Sequence, residues 1–310
     1  MGFVISTALT LVLSATAVDD PSKLDKAIRK EMEAAAAEYV AKKDDPAAAM
    51  ARQSAENFLS MLERADERIS TIQGELVWDK EFAIAGDSQT RIGKLYFSSP
   101  RTESGPRTRK FGVEIDTLVL GGRMEKKPES YIFDGEWLIE KRPLEKQAIK
   151  RRIVPPGEKF DPLKIGEGPF PIPIGQKKAD ILARYDARLS EVAEGLDSDE
   201  HRQFAEGSTQ IVLTPKPGAD DKFEEIRLWY KPAEGVDGNP WLPRMARTVS
   251  VDGDTSVIRL INMQANAAIP DGALSADVPE TGWTVQVKEF REAKPDAQPA
   301  EKAKDAPQGK

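Results

Sequence analysis

The amino-acid sequence predicts an α+β protein built around one large antiparallel sheet. Two observations carry that prediction. From Thr71 onward, short runs alternate apolar and polar residues, in about eleven segments joined mostly by tight connections. Helical stripes occur before the first run and once in the middle, so no βαβ rhythm develops and a parallel sheet is not expected.

The helices come first. Asp20-Pro21 supplies an N-cap and a proline for the first turn, and Leu24, Ile28, Met32 and Tyr39 or Val40 recur at helical spacing through Lys43. Asp45-Pro46 repeats the device, and Met50, Ser54, Phe58, Leu62, Ala65 and Ile69 form a second stripe. Each helix has one apolar and one charged face and must lie on something apolar. The strands read Ile72–Asp79, Gly93–Ser99, Lys110–Leu120, Tyr131–Phe133, Glu136–Lys141 and Lys146–Ile153. Asp134-Gly135 turns the second hairpin of this series. Pro169, Pro171 and Pro173 then force an extended path. A third helix is predicted near 176–194 from Ala179, Leu182, Tyr185, Leu189 and Val192, with Gly195 as its stop. Strands resume at Thr209–Pro215, Lys222–Lys231, Arg244–Asp252, Thr255–Met263 and Trp283–Phe290, with Asp252-Gly253 as a hairpin turn.

The two ends read differently. In "MGFVISTALTLVLSATAVDD", Phe3–Leu13 suits the apolar region of a secretory signal and Ala15-Thr16-Ala17 the cleavage site, although no Lys or Arg precedes it. A buried N-terminal helix is the competing reading, and charged residues follow too soon for it. Residues 291–310 hold no large apolar side chain and are expected to be disordered. The predicted organisation is a signal peptide at 1–17, an extra helix at 18–45, one main domain at 46–290 and a tail.

Composition removes several classes of function. The chain has 310 residues, a net charge of −7, one histidine and no cysteine. Acidity argues against nucleic acid. Without cysteine there is no disulfide, thiol nucleophile or cysteine metal site. His201, in a polar stretch, is read as a solvated loop or helix-start residue. No P-loop, GxGxxG, GxSxG, HExxH or paired CxxC is present. Glu224-Glu225 and Asp220-Asp221 are adjacent pairs that point to opposite faces of a strand, which suits solvation better than catalysis. The cations Lys141, Arg142, Lys146, Lys150, Arg151 and Arg152 have two readings: a surface for lipid head groups or an acidic partner, or a strand edge kept soluble by charge. Trp78, Tyr96, Phe97, Phe133, Trp137, Trp229, Tyr230 and Trp283 lie on strands, where they either pack a core or line a cavity.

The order of elements carries a resemblance. A helix runs into "TIQGELVW", "GKLYFSSP", "KFGVEI" and "YIFDGEWLIEKRPLEKQ", with Gly74, Pro100, Phe111, Asp134-Gly135 and Gln147 at marked places. "STQIVLTPKPGADDKFEEIRLWYKP", "LPRMARTVSVDGDTSVIRLINMQANAAIP" and Leu274, Pro279, Gly282 and Trp283 continue it. Over roughly Ala47 to Phe290 the chain resembles the LolA-type outer-membrane lipoprotein carrier (lipoprotein-sorting) family. Gly112 departs from it, standing where the family has an arginine; Arg109 lies nearby.

The resemblance implies an incomplete β-barrel, a curved sheet whose concave face is covered by amphipathic helices, one of them a lid near 176–194. The cavity between them would shelter acyl chains in the periplasm, without catalysis, metal or cofactor. Its candidate lining is Phe58, Leu62, Trp78, Tyr96, Phe111, Phe133, Trp137, Leu182, Tyr185, Leu189, Leu228 and Trp283. The partners implied are lipoprotein or lipid acyl chains, with an inner-membrane transporter as donor and an outer-membrane acceptor, and the carrier is expected to act as a monomer. A lipid-sensing regulatory module of the envelope is the alternative on the same scaffold. A carboxylate hydrolase using Asp134 or Asp252 is the third class.

Overall fold

The computed structural model describes residues 46–100, 109–154, 177–218, 221–233, 240–279 and 281–289. The expected signal, the helix at 18–45, the proline run at 169–173 and the tail lie outside the described residues. Helix α1 (Pro46–Asp66) leads into strands β1 (Thr71–Phe82), β2 (Asp87–Ser98), β3 (Lys110–Leu120), β4 (Arg123–Phe133), β5 (Trp137–Arg142) and β6 (Gln147–Arg152). Helix α2 (Lys178–Arg184) runs directly into β7 (Tyr185–Ser190), and helix α3 (Asp199–Ala205) precedes β8 (Thr209–Pro215). The remaining strands are β9 (Phe223–Pro232), β10 (Trp241–Ser250), β11 (Thr255–Ala265) and β12 (Thr284–Lys288).

All twelve strands form one unclosed sheet, in the order β12-β6-β5-β4-β3-β2-β1-β11-β10-β9-β8-β7. With its helices this is an α+β incomplete barrel, as the sequence predicts. Every neighbouring pair is antiparallel except β12 and β6, which are parallel. Register slips between Gln73 and Glu75, Ile92 and Gly93, Ile115 and Thr117, and Pro243 and Met245 mark bulges, which bend strands. At Gly93 the backbones approach so closely that a Cβ would lie 1.9 Å from the Glu114 carbonyl oxygen.

Turn chemistry explains the hairpins. The Asp134 carboxylate accepts the backbone N–H of Glu136 (3.0 Å) and of Trp137 (2.8 Å), while Gly135 adopts φ +115°. Asp134 therefore has a structural employment. In the β10–β11 hairpin Gly253 takes φ +84° and Ser250 N–H donates to the Asp254 carbonyl at 2.9 Å. Gly121 and Gly122, both at positive φ, close the β3–β4 hairpin.

Several sequence expectations are corrected. The helix expected over 176–194 is one short helix and then an edge strand. Leu182, Tyr185 and Leu189 fit a helical stripe, but Tyr185, Ala187 and Leu189 also alternate, and pairing with β8 decides for the strand. Gly195 is not a helix stop. It turns at φ +74° against the Arg227 guanidinium, where a Cβ would lie 2.6 Å away. Strand β4 begins eight residues before Tyr131, through a polar segment without alternation. Its Pro128 stands opposite the Ile115–Thr117 slip, where no ladder N–H is needed. On α1 the buried stripe is Ala55, Phe58 and Leu59, whereas Met50 is 75% exposed.

Candidate functional site

Pairing register assigns side chains to the two faces of the sheet. We call the face under α1 the inner face. Across β1–β5 and β11 its main row runs Ile72, Phe97, Phe111, Phe133 and Leu138, backed by Leu76, Leu95, Val113, Ile258 and Leu260. All are buried, and Phe111 stacks on Phe133 at 5.8 Å. Ile69, Ile153, Val154, Ala233 and Leu242 pack against this layer from its margins. Over β7–β10 a second inner layer is sealed by α1: the Phe58 ring meets Tyr230 at 5.8 Å and Trp241 at 5.3 Å, edge to face. Among the described residues, extensive helix–sheet packing on the inner face is confined to this second half. Arg109, just before β3, forms an ion pair of 3.3 Å with Asp66 at the end of α1.

The candidate lining residues divide accordingly. Trp78, Phe111 and Phe133 belong to the first layer. Phe58, Leu62, Leu182, Tyr185, Leu189 and Leu228 belong to the sealed one. Tyr96 and Trp137 sit on the outer face, since their neighbours Leu95, Phe97 and Leu138 point inward; they cannot line an inner cavity. Trp283 lies half-buried just before β12 and belongs to neither layer. Tyr185 donates to Asp221, which also pairs with Arg184 at 3.0 Å, so its hydroxyl is anchored.

The six candidate cations do not form one surface. Arg142 and Arg151 lie on the inner face beside Glu140, at 2.5 Å and 3.8 Å. Lys150 and Arg152 lie on the outer face, where Arg152 pairs with Glu136. Lys141 also points outward, donating to the Ser275 carbonyl at 2.9 Å, and Lys146 is in the β5–β6 turn at φ +49°. Nor is β6 a free edge, because β12 covers it.

The outer face is covered by chain segments. Residues 266–279, after β11, cross it. The Ala273 carbonyl would lie 2.6 Å from a Cβ on Gly112, and Ile132 and Ile139, in the same row as Gly112, are buried. That close approach accounts for glycine at this position. The other half of the outer face carries residues 191–208, packed through Leu196 and Ala205 on Trp229, Met245 and Val257. There the Trp229 indole donates to the Val192 carbonyl at 2.8 Å, and the Arg244 guanidinium stacks 4.1 Å from the Phe204 ring. His201 is on α3, partly buried, 3.7 Å from Asp79. Burial opposes ionisation of Asp79, but His201, Thr90 and Arg259 together hold its carboxyl below the usual range.

A polar group adjoins the first inner layer, and the sequence reading passed over it. Arg91 on β2 reaches Glu129 on β4 (3.2 Å) and the Tyr131 hydroxyl (3.5 Å), which lies 3.3 Å from Glu129. Burial, then Glu129, raises the Tyr131 phenol, with Arg91 opposing. Lys80 Nζ stands 4.5 Å from the Trp78 ring centroid and the Arg91 guanidinium 5.6 Å from it. Trp78 Nε1–H donates to Ser256 Oγ at 2.7 Å. These residues come from separate strands, so only the register brings them together. Among the described residues, no group of three or more His, Asp or Glu is placed to hold a metal, and no helix is long and apolar enough to cross a membrane.

No protein-family model matches the chain, and no curated protein does either. Solved structures do. A conserved protein from Thermus thermophilus is 14% identical, with 76% of this chain and 99% of that one aligned at a TM-score of 0.39. A DUF1329 family protein from Desulfovibrio piger is 16% identical over 73% and 98%, at 0.36. A LolA superfamily protein from Nitrosomonas europaea is 13% identical over 70% and 96%, at 0.29.

Proposed function

We propose that this protein is a non-catalytic carrier that shelters acyl chains against the inner face of its sheet. One observation supports the reading: a continuous buried layer of large apolar side chains spans β11 and β1–β5 and is bordered at one end by the charged group of Arg91, Glu129 and Tyr131. Each methylene moved from water onto such a layer gains about 0.8 kcal/mol, so a long acyl chain supplies a large driving force without any reaction. Entry requires the marginal elements, at Ile69 and at Ile153-Val154, to part from the layer.

In this reading the segment at 1–17 directs export and the carrier works in the periplasm as a monomer. It takes lipoprotein or lipid from an inner-membrane donor and delivers it towards an outer-membrane acceptor. Native mass spectrometry of protein purified from its own envelope tests the proposal: a bound lipid or lipoprotein mass is expected, lost on delipidation. Absence of any such mass, together with failure of the stripped protein to take up labelled lipoprotein or lysolipid, would sink it.

One feature favours a second reading, a lipid-sensing regulatory module. The edge strand β12 is exposed along its whole length, with Val285 and Val287 side by side on one face. An exposed strand of this kind can pair with a partner. Capture of an envelope signalling protein by β12, abolished by Val287→Pro, would move the conclusion to that reading.

A further inference from the structure

Resting on the lipid-binding reading above, we propose that the inner face selects amphiphiles with an anionic headgroup, the chains lying on the apolar layer and the negative charge held between Lys80 and Arg91. Polarity changes along the strands in the way such a ligand needs. On β1 the inward residues run Ile72, Leu76, Trp78, Lys80; on β2 they run Phe97, Leu95, Arg91; on β4, Phe133, Tyr131, Glu129; on β5, Leu138, Glu140, Arg142. One end of this half is hydrocarbon and the other is charged.

The charged end has more cations than carboxylates. Lys80, Arg91, Lys127, Arg142 and Arg151 stand with Glu129, Glu140 and Asp254, five positive groups against three negative. Two of the carboxylates are already occupied: Glu129 by Arg91 and Lys127, Glu140 by Arg142 and Arg151. Lys80 has no carboxylate within ion-pair distance among the described residues; burial first, then Arg91, depresses its ammonium pKa, with the more distant Asp254 opposing. Arg91 keeps its Nε–H buried without an acceptor. A cation with no carboxylate in ion-pair contact and an N–H lacking an acceptor, both beside the Trp78 ring, are satisfied by the oxygens of one anionic headgroup. The site also opens the right way: the Glu129 side chain is 8% exposed, whereas those of Arg142 and Arg151 are 43% and 42% exposed, so the charge grades outward to water.

The test uses the full chain, stripped of lipid, in calorimetric titrations below micelle concentration. The probes are lysophosphatidylglycerol and lysophosphatidylcholine of equal chain length, and inorganic phosphate alone. The anionic lysolipid is expected to bind at least about tenfold more tightly, the ratio that one charge-assisted hydrogen bond supplies. Lys80→Gln, which breaks no ion pair, is expected to erase most of that preference; Arg91→Gln should do the same but unpairs Glu129, so its melting curve is recorded beside it. Equal affinity for the two lysolipids, or a preference that survives Lys80→Gln, overturns the headgroup assignment and leaves acyl-chain binding standing. Binding of neither lysolipid overturns both readings. Phosphate bound as tightly as the anionic lysolipid identifies a free-anion site and overturns the amphiphile.

Discussion

The two halves of the inner face solve the same problem in different ways. Over β7–β10 the apolar strands are met by α1, whose Phe58 fits edge-on between Tyr230 and Trp241. Over β11 and β1–β5 an equally apolar layer is bordered by single residues at its margins and by a charged group at one end. Both layers are buried. What separates them is the charged group at one end of the second, which under the proposed function matches the polar end of an amphiphile. The difference teaches that burial alone does not identify a binding face; what matters is which groups adjoin the apolar layer and whether their charges are matched.

The most forceful way to break this comparison is to remove one large side chain from each half. Phe58→Ala is expected to cost about 3–5 kcal/mol, since it deletes a buried ring from a sealed core, and to cost the same with or without lipid. Phe111→Ala removes an equally buried ring from the other layer. Its loss should be larger in lipid-loaded protein than in stripped protein, because part of what the ring packs against is then ligand. Denaturant unfolding of both variants, loaded and stripped, reads the difference directly. Identical lipid dependence in the two halves would remove the distinction between them.

A smaller effect probes the outer side of the half over β1–β5. Gly112→Arg forces a side chain into the Ala273 carbonyl and should cost about 1–3 kcal/mol by overpacking. Hydrogen exchange is expected to rise across 267–279 while the amides of β7–β10 stay protected. Unchanged exchange there would mean that the crossing segment does not depend on the glycine.

Much of this architecture is legible in the sequence because local signals agree with tertiary demand. Strands β8–β11 and both Asp-Gly hairpins follow from alternation and turn residues alone. The failures have physical causes. Tyr185, Ala187 and Leu189 satisfy alternation while Leu182, Tyr185 and Leu189 satisfy a helical stripe, and only the docking of β8 separates the two. Strand β12 pairs in parallel with β6 because a long segment crosses the sheet, and nothing local records that path. Tyr96 and Trp137 are aromatic like their inward neighbours, so residue type could not show their face. The Lys80–Trp78–Arg91–Glu129 group was invisible because its members are far apart in the chain, and the extra residue of β3 between Ile115 and Thr117 offsets which residues of β2 and β4 come level.

Asp134→Ala sharpens the comparison at the level of a single turn. The substitution leaves the N–H groups of Glu136 and Trp137 without their acceptor and should cost about 1–2 kcal/mol. The cost belongs to the β4–β5 hairpin, which carries Phe133 and Leu138 of the first inner layer. Lysolipid affinity should therefore fall in step with stability, measured by titration alongside chemical denaturation, rather than vanish as it would for a catalytic group.

The smallest expected effect is an acid-sensitive clamp on the sealed half. Glu194 follows β7 and gathers Arg188 and Ser190 of that edge strand together with Arg227 of β9. Hydrogen bonding from Arg188 first, then from Ser190 and Arg227, lowers its carboxyl from 4.5 to about 2, with burial opposing. A carboxyl whose folded value lies below its unfolded value stabilises the fold at pH above about 4.5, and that contribution fades as pH falls towards 2. The side chain is 40% exposed, so solvent screening keeps the effect modest. Acidification across this window should loosen β7 and β8 before β1–β3, as followed by amide exchange. Glu194→Gln should flatten that part of the stability profile while leaving the neutral-pH fold in place. If β1–β3 open first instead, the edge strand beside α1 is not held by this clamp, and the sealed half owes its closure to Phe58 and its aromatic partners alone.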